Sequence, residues 1–545
     1  MRKERENRRK RLTIGIDVGG TNTDGVLYDT EERRIISSEK IPTNHADYRD
    51  SIEAALGRLL RTADSEEIIS LNISTTLSTN ALLEGKGAPV ALVLIGYEDF
   101  PHIKDEILRT VSPAALLSVR GGHNGWGKER EPLDREALAR FAREEAGGYF
   151  AVSSLYSPRN PLHEMEAAGI IRAAGCAGIT CGHEMARSKL NSVKRTVTAF
   201  LNSSLMEVTE RLIQGVEFCA ASHGLRCPVM FLRSDSSLVC GQWCARFPLE
   251  TVFSGPAASM RGAMLLGGVR EEDAVVADMG GTSTDIGVVK GGKAVYSKEG
   301  ASIGSYRTMI PSLEIHSIAL GGDSAVKLGK GGELTVGPER VRPYCRTSEG
   351  EECGYTPSDA LSALGAAAIG SGGRSLRASN EYGGRLGVSA VEFARLVRGE
   401  VSKRLSEALH GSGEESRRIC VGAPVASFAC GADCSVPEEA AIASAVGAAS
   451  SSLSLSCTVS ILHSFFDGNF YAFLPAGQIR GTDFESVYSR SRAALEKYLI
   501  EQAAQMGFLE AAAEISEERE YIGKERSLLS LASVALNGKA IVHGA

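Results

Sequence analysis

A chain of 545 residues, 43% hydrophobic and 23% charged, is too long for one core and has the make-up of an ordinary globular protein of roughly two to four domains. Its formal net charge of −7 gives no basis for nucleic-acid or membrane-surface binding. No stretch reaches the ~20 apolar residues of a membrane-spanning helix, and the basic run from Arg2 to Arg11 lacks the apolar segment of a secretory signal, so a solvated tail over 1–11 and a cytoplasmic location are expected.

The first element pair is a hairpin. Apolar runs at 12–16 and 25–28 flank Asp17-Val-Gly-Gly-Thr-Asn-Thr-Asp24. A Gly-Gly tip lets an anion approach exposed backbone N–H groups, and Thr21 and Thr23 add hydroxyl donors. A helix at 47–62 follows, then Thr75-Thr-Leu-Ser-Thr-Asn80 leading into a helix start, and a strand at 90–95, the alternation of an α/β domain. Gly121-Gly-His123 opens a glycine-rich loop that ends at Asp134, the cap of a helix over 135–145. A strand at 151–156, a helix start at 160–164 and a long helix over 194–222 bridge to the second half.

There the opening pattern returns. After a strand at 229–232 and a small-residue helix at 254–266 comes Asp278-Met-Gly-Gly-Thr-Ser-Thr-Asp285, again between two apolar runs. One Gly-Gly turn serves equally well as a plain hairpin tip, but two copies with the same acidic ends point to two related halves that share one phosphate-bearing ligand. Asp17 and Asp278 at the strand ends suit a hydrated Mg²⁺. Beyond lie Ile315-His-Ser-Ile318, the turn Gly321-Gly-Asp323-Ser324, a hairpin over 327–337, a buried strand meeting Gly422, an alanine-rich helix over 436–447, and a C-terminal portion with a hairpin-like segment and a helix at 484–506. The 12 cysteines, with Cys240/Cys244 and Cys430/Cys434 the closest pairs, lack zinc-site spacing and are read as reduced thiols; Cys219 and Cys430 sit in apolar surroundings.

Two matched phosphate hairpins resemble those of the actin-like ATPase superfamily, which implies an α/β, duplicated (ribonuclease H-like) ATPase fold with two lobes around a nucleotide cleft. In that arrangement Val421-Gly-Ala-Pro424 is the adenosine turn, and helices at 254–266 and 438–449 cross at the hinge. More closely, the chain resembles the hydantoinase A / 5-oxoprolinase / acetone carboxylase subunit family, through Gly15 to Asp24, Thr75 to Glu84, Gly121 to His123, Ser254-Gly-Pro-Ala257, Asp278 to Asp285 and Ile315 to Ile318. The resemblance runs to about residue 450 and implies a basic tail (1–11), an N-terminal lobe (12–193), a second lobe (194–455) and a C-terminal extension (456–545). It departs in Asp323, which stands where a further glycine is usual and which would either repel nucleotide or recruit metal. The large second module fused behind this one in some relatives is not recognised either.

What the resemblance implies chemically is ATP-dependent hydrolysis of a cyclic amide, in which phosphorylation activates the carbonyl. Mg²⁺ would sit between Asp17 and Asp278. The nucleotide would meet Gly19, Gly20, Thr21, Asn22 and Thr23, the matching Gly280, Gly281, Thr282, Ser283 and Thr284, and Gly321, Gly322 and Gly422. Asp24 and Asp285 either orient the reacting group or cap their turns. His316 is an acid/base candidate or a structural histidine on a buried strand, and His123, Asn80 and Glu84 are candidate substrate contacts. His45, His102, His163 and His183 have no partner pattern, and Lys86 reads as solvated. A hydantoinase B-type partner subunit and an oligomer are expected. Competing readings are the ATPase subunit of a carboxylase, a partner-regulated switch ATPase like Hsp70 or actin, and a small-molecule kinase.

Overall fold

A computed structural model describes residues 11–542 except 45, 187–189, 298, 349, 367–368, 412–415, 430–432, 465–466, 476, 509–510 and 523–529. The tail from Arg2, His45 and Cys430 therefore lie outside the described residues. Every described cysteine is a free thiol.

Both halves are built on one nucleus, a hairpin whose first strand also pairs in parallel with a later strand. In the first, Leu12–Val18 pairs antiparallel with Asn22–Asp29 and parallel with Ile68–Thr75. In the second, Ala274–Met279 pairs antiparallel with Thr284–Lys290 and parallel with Arg417–Val421. The registers correspond residue for residue: Asp17 faces Asp24, and Asp278 faces Asp285. The first sheet has six strands and extends through Val229–Leu232 to Leu238–Cys240. Residues expected in the second lobe thus complete the first sheet, and a division at 193/194 cuts through the first lobe.

The central strands, apolar on both faces, lie in two cores. One holds Ile14, Ile16, Leu71 and Ile73, and the other Val275, Val276, Ile419 and Cys420. A separate, wholly parallel sheet is ordered Ala115–Val119, Val90–Ile95, Tyr149–Ser154, Gly178–Cys181. Helix Ser192–Ser222, capped by the Asn191 side chain on the Lys194 amide, packs between this sheet and the first. Asp134 caps helix Arg135–Glu144 as expected. A five-stranded antiparallel sheet formed by Leu455–His463, Phe470–Leu474, Gly477–Gly481, Ala511–Ile522 and Ser530–Val542 carries helix Phe484–Gln505 on one face. Its apolar side merges with the first core through Val459, Ile461 and Leu536. Among the described residues no helix is long and apolar enough to cross a membrane.

The halves are joined by two helices in backbone contact. Ser254–Leu266 crosses Ala443–Ala449, and a methyl group on Gly262 would come within 1.8 Å of the Ala443 carbonyl oxygen, as one on Gly447 would with Ala258. Only glycine permits that approach. The second helix is shorter than the sequence suggests. A 3₁₀ turn, Ala440–Ile442, replaces the start expected at 436–438, because the Ala440 carbonyl turns to accept the Gly422 amide.

Candidate active site

The two hairpin tips face one another across the cleft. Gly19 donates to the Asn22 carbonyl at 3.1 Å and Gly280 to that of Ser283 at 2.9 Å, so these two amides close their own turns. Gly20, Thr21, Gly281 and Thr282 are left lining a cavity of about 220 Å³ between the tips. That cavity opens into one of about 630 Å³, bounded by Asn22, Lys40, Gly422 and Pro424. Gly422 has φ +103°, and a Cβ there would lie 2.2 Å from the Met279 carbonyl, so the turn after Val421 presses directly on the second hairpin.

Not all of the expected contacts reach this cleft. Thr23 and Thr284 are fully buried behind the tips, where Thr23 pairs with the Thr43 hydroxyl and Thr284 donates to the Leu320 carbonyl at 2.6 Å. Alternation along the strand turns every second side chain into the lobe, and these two fall on the inner face. Gly321 packs on the second tip instead of lining the cleft, a Cβ there standing 2.5 Å from the Gly281 carbonyl. Gly322 does line it, and its amide donates to the Gly280 carbonyl.

Four carboxyls converge behind the tips. Burial raises the Asp17 pKa against hydrogen bonds from Ser74 (2.7 Å) and Ser444. Burial lifts Asp278 to about 6, with Asp285, Asp17 and Asp24 adding repulsion and Ser259 opposing it. Asp24 also reaches about 6 through burial although Lys40 Nζ donates to both its oxygens at 2.6 Å. Lys40, 16 residues along the chain from Asp24, carries no motif and was not singled out by the sequence.

Asp323 is matched inside the protein by two arginines. Its buried carboxylate is held by Arg346 (3.2 Å) and Arg340 (3.4 Å), and its amide donates to the Gly281 carbonyl at 2.7 Å. The extra carboxylate thus braces the second tip and fixes two arginines beside the cleft, with Arg340 lining the inter-tip cavity and Arg346 the larger one. Both arginines were illegible in the sequence because their partner lies 17 and 23 residues away.

On the far side of the tips is a third cavity of about 430 Å³, which shares Ser283 and Asp285 with the space between them. Asn80, Thr76, Thr79, Ser234 and Ser317 give it neutral hydrogen-bonding walls. Burial raises the Asp285 pKa, and the Ser317 hydroxyl donates to it at 2.5 Å. His316 is exposed on strand Ile315–Ile318, with Ile315 and Ser317 turned into the cavity and His316 to the opposite side, so it is neither buried nor part of the cavity wall. Glu84 points to solvent and pairs with Lys86, away from this cavity. His123 lies at the end of the parallel sheet, its ring 4.5 Å from that of His163, and burial together with His163 lowers its pKa to about 4. It is a neutral buried ring outside all three cavities.

Duplicated nuclei, crossing helices and facing tips define a two-lobed protein of the actin-like ATPase fold. Two family models match: Hydantoinase/oxoprolinase N-terminal region over residues 13–175 and Hydantoinase/oxoprolinase over 195–368. The chain belongs to the hydantoinase/oxoprolinase family. It is 30% identical over 389 residues to caprolactamase subunit alpha of Pseudomonas jessenii, covering 66% of this chain and 55% of that one. It is 28% identical to a 5-oxoprolinase of Pestalotiopsis fici (60% and 29% covered) and 25% identical to the acetophenone carboxylase gamma subunit of Aromatoleum aromaticum (72% and 57%). The chain thus spans little more than half of these relatives, or less. The solved ATP-dependent caprolactamase from Pseudomonas jessenii superposes with a TM-score of 0.72 at 22% identity over 97% of this chain and 87% of that one. A nucleotide-free acetone carboxylase also gives 0.72, at 18% identity over 98% and 88%.

Proposed function

We propose that this chain binds ATP between its lobes and transfers the γ-phosphoryl group to the carbonyl oxygen of a cyclic amide, as the ATP-using component of a cyclic-amide hydrolase. One observation carries the reading: the inter-tip cradle shares walls with a cavity on either side, Gly20, Thr21 and Asp278 with the nucleotide-sized one and Asp285 and Ser283 with the hydroxyl-lined one. The likeness to an ATP-dependent caprolactamase, and to a caprolactamase subunit and a 5-oxoprolinase, supports it.

The ribose and base fit against Gly422 and Pro424, and the terminal phosphates against the amides of Gly20, Thr21, Gly281 and Thr282, with Arg340 and Lys40 supplying positive charge. Asp17 and Asp278 suit Mg²⁺, because burial raises the pKa of both carboxyls, a cost that a bound cation would offset, and oxygen ligands are those this ion prefers. When bound, Mg²⁺ would neutralise charge on the β and γ phosphates. Asn80 and the serine hydroxyls hold the lactam. As its carbonyl oxygen bonds to the γ phosphorus and the bond to ADP breaks, Asp285 takes the amide proton. The carbon of the resulting O-phosphorylated imidate is open to water, which adds and expels the ring nitrogen as an amine, with the proton returned by Asp285; a second water then attacks the same carbon of the acyl phosphate and releases phosphate carrying the former carbonyl oxygen. We further propose that this last step involves a hydantoinase B-type partner subunit, that the assembly is oligomeric and that it works in the cytoplasm.

Lactam and hydantoin labelled with ¹⁸O at the carbonyl, incubated with Mg-ATP, the chain and such a partner, should give phosphate carrying the label, and Asp285→Asn should slow this ~10²-fold or more. Label-free phosphate would overturn carbonyl phosphorylation. Label transfer from a ketone with bicarbonate would favour the carboxylase reading.

A further inference from the structure

The cavity between the hairpin tips is poor in positive charge. Asp278 and Asp285 stand in its wall, and among the described residues that line it Arg340 is the one cationic side chain. Lys40 lines the larger cavity beside it, and its three N–H groups are engaged, two by Asp24 at 2.6 Å and one by the Ala441 carbonyl at 3.2 Å. It lends charge to the cleft rather than donors. A guanidinium carries five donors, and Arg340 commits Nη2 to Asp323.

Backbone pairing sets where Arg340 stands. It ends strand Leu334–Arg340, whose partner Ser324–Leu328 begins one residue after Asp323. Ser324 faces Arg340 in the ladder, and the Val341 amide donates to the Asp323 carbonyl at 3.1 Å. The register slips between Ser324 and Val326, which faces Val336, so the second strand bulges just before Arg340, and a bulge re-aims the side chains beside it. The Asp323 carboxylate completes the placement. Its Oδ2 accepts from Arg340 Nη2 at 3.4 Å, and its Oδ1 from Arg346 Nη1 at 3.2 Å and the Ser358 hydroxyl at 3.4 Å. A methyl group on Gly281 would lie 3.2 Å from Asp323 Oδ2 and 3.9 Å from Thr21 Oγ1, so this carboxylate stands where the two tips approach.

One buried carboxylate thus holds two arginines that line different compartments, Arg340 the inter-tip cavity and Arg346 the larger one with Gly422 and Pro424. Their side chains are 55% and 37% exposed, so a ligand in the cleft can reach both. The planar fork of arginine meets two phosphate oxygens at once, and a hydrogen bond between ionised groups is stronger than one between neutral groups. With base and ribose against Gly422 and Pro424, Arg346 meets the part of a nucleotide that ADP and ATP share. Arg340 stands where only the third phosphate arrives.

We propose that Arg340 recognises the γ-phosphate and so makes the cleft select a nucleoside triphosphate over the diphosphate, and that Asp323 is the positioning residue that holds Arg340 there. The assignment rests on ATP binding between the lobes, and adds which side chain tells the two nucleotides apart. Asp323 acts through Arg340 and touches no nucleotide itself.

Titration calorimetry of the full chain with Mg-ADP and with a non-hydrolysable Mg-ATP analogue tests this without turnover. Arg340→Gln should weaken the triphosphate ~10-fold or more while changing the diphosphate less than ~2-fold. Arg346→Gln should weaken both alike. Asp323→Asn should lower the triphosphate-to-diphosphate affinity ratio as Arg340→Gln does, and should lower it no further in the Arg340→Gln background, a non-additivity that a merely structural carboxylate would not give. If Asp323→Asn fails to fold, Arg340→Gln, at an exposed side chain, decides alone. Equal losses for the two nucleotides in Arg340→Gln, or no loss, overturn this inference and leave ATP binding standing. Binding of neither nucleotide by the unsubstituted chain overturns the ATP reading itself, and this inference with it.

Discussion

Asp278 shows how the site trades stability for ligand affinity. Its folded-state pKa of about 6 lies above the ordinary value of 3.8, so the folded chain holds this proton more tightly than the unfolded one. The stabilisation is complete below pH ~4 and is lost as pH rises through about 6, after which the buried charge is a liability on the order of 3 kcal/mol in the metal-free protein. Asp278→Asn should therefore raise the metal-free melting temperature at pH 7 and leave it unchanged at pH 4, while abolishing Mg-ATP turnover. Calorimetric melts at the two pH values check the first part; a lower melting temperature at pH 7 would contradict it. In the wild type, turnover should fall as pH drops below about 6, because a protonated carboxyl no longer ligates. Gly280→Val tests the cradle. A Cβ there meets only the Ser283 carbonyl, at 3.6 Å, so the fold should survive while the isopropyl group blocks the phosphates. Titration calorimetry should show ATP affinity lost with the circular dichroism spectrum retained.

The hairpins were readable in the sequence because each is one short stretch in which strand pattern, Gly-Gly turn and acidic ends coincide. Their supports were not. Ser74, Ser259 and Ser444 reach the two aspartates from three other elements, and serine in a strand or helix carries no mark of its partner. The crossing helices were found by their small residues, but the start of the second was misplaced because tertiary hydrogen bonding at Ala440 overrides an acidic helix-start pattern. Helices Gly372–Leu386 and Ala390–His410, which pack against each other, went unread. At the crossing, Gly447→Ala should cost about 1–3 kcal/mol, since the added methyl must push two backbones apart. Urea unfolding should show a lower midpoint; an unchanged midpoint would mean that the helices do not touch as described.

The molecule as a whole was legible as a duplication and less so as an assembly of sheets. The parallel sheet and the C-terminal sheet share one core with the first lobe, and such long-range pairing leaves only ambiguous short apolar runs in the sequence. His163 and His183 gain their partners, Glu129 and Glu164, from the same distant packing. The buried position expected for His316 failed for a simpler reason: a four-residue strand with isoleucine at each end looks buried, yet both of its central residues are exposed. If nucleotide bridges the lobes, closure should turn about the glycine contacts of the crossing helices and slow amide exchange there and at both tips, as hydrogen-exchange mass spectrometry with Mg-ATP would show. The most direct test is a crystal structure of the full chain with Mg²⁺ and a non-hydrolysable ATP analogue. The phosphates should lie between Gly20-Thr21 and Gly281-Thr282, with the metal at Asp17 and Asp278 and the terminal phosphate facing Asp285. Nucleotide bound elsewhere, or tips that face apart around an empty cleft, would contradict a shared phosphate cradle.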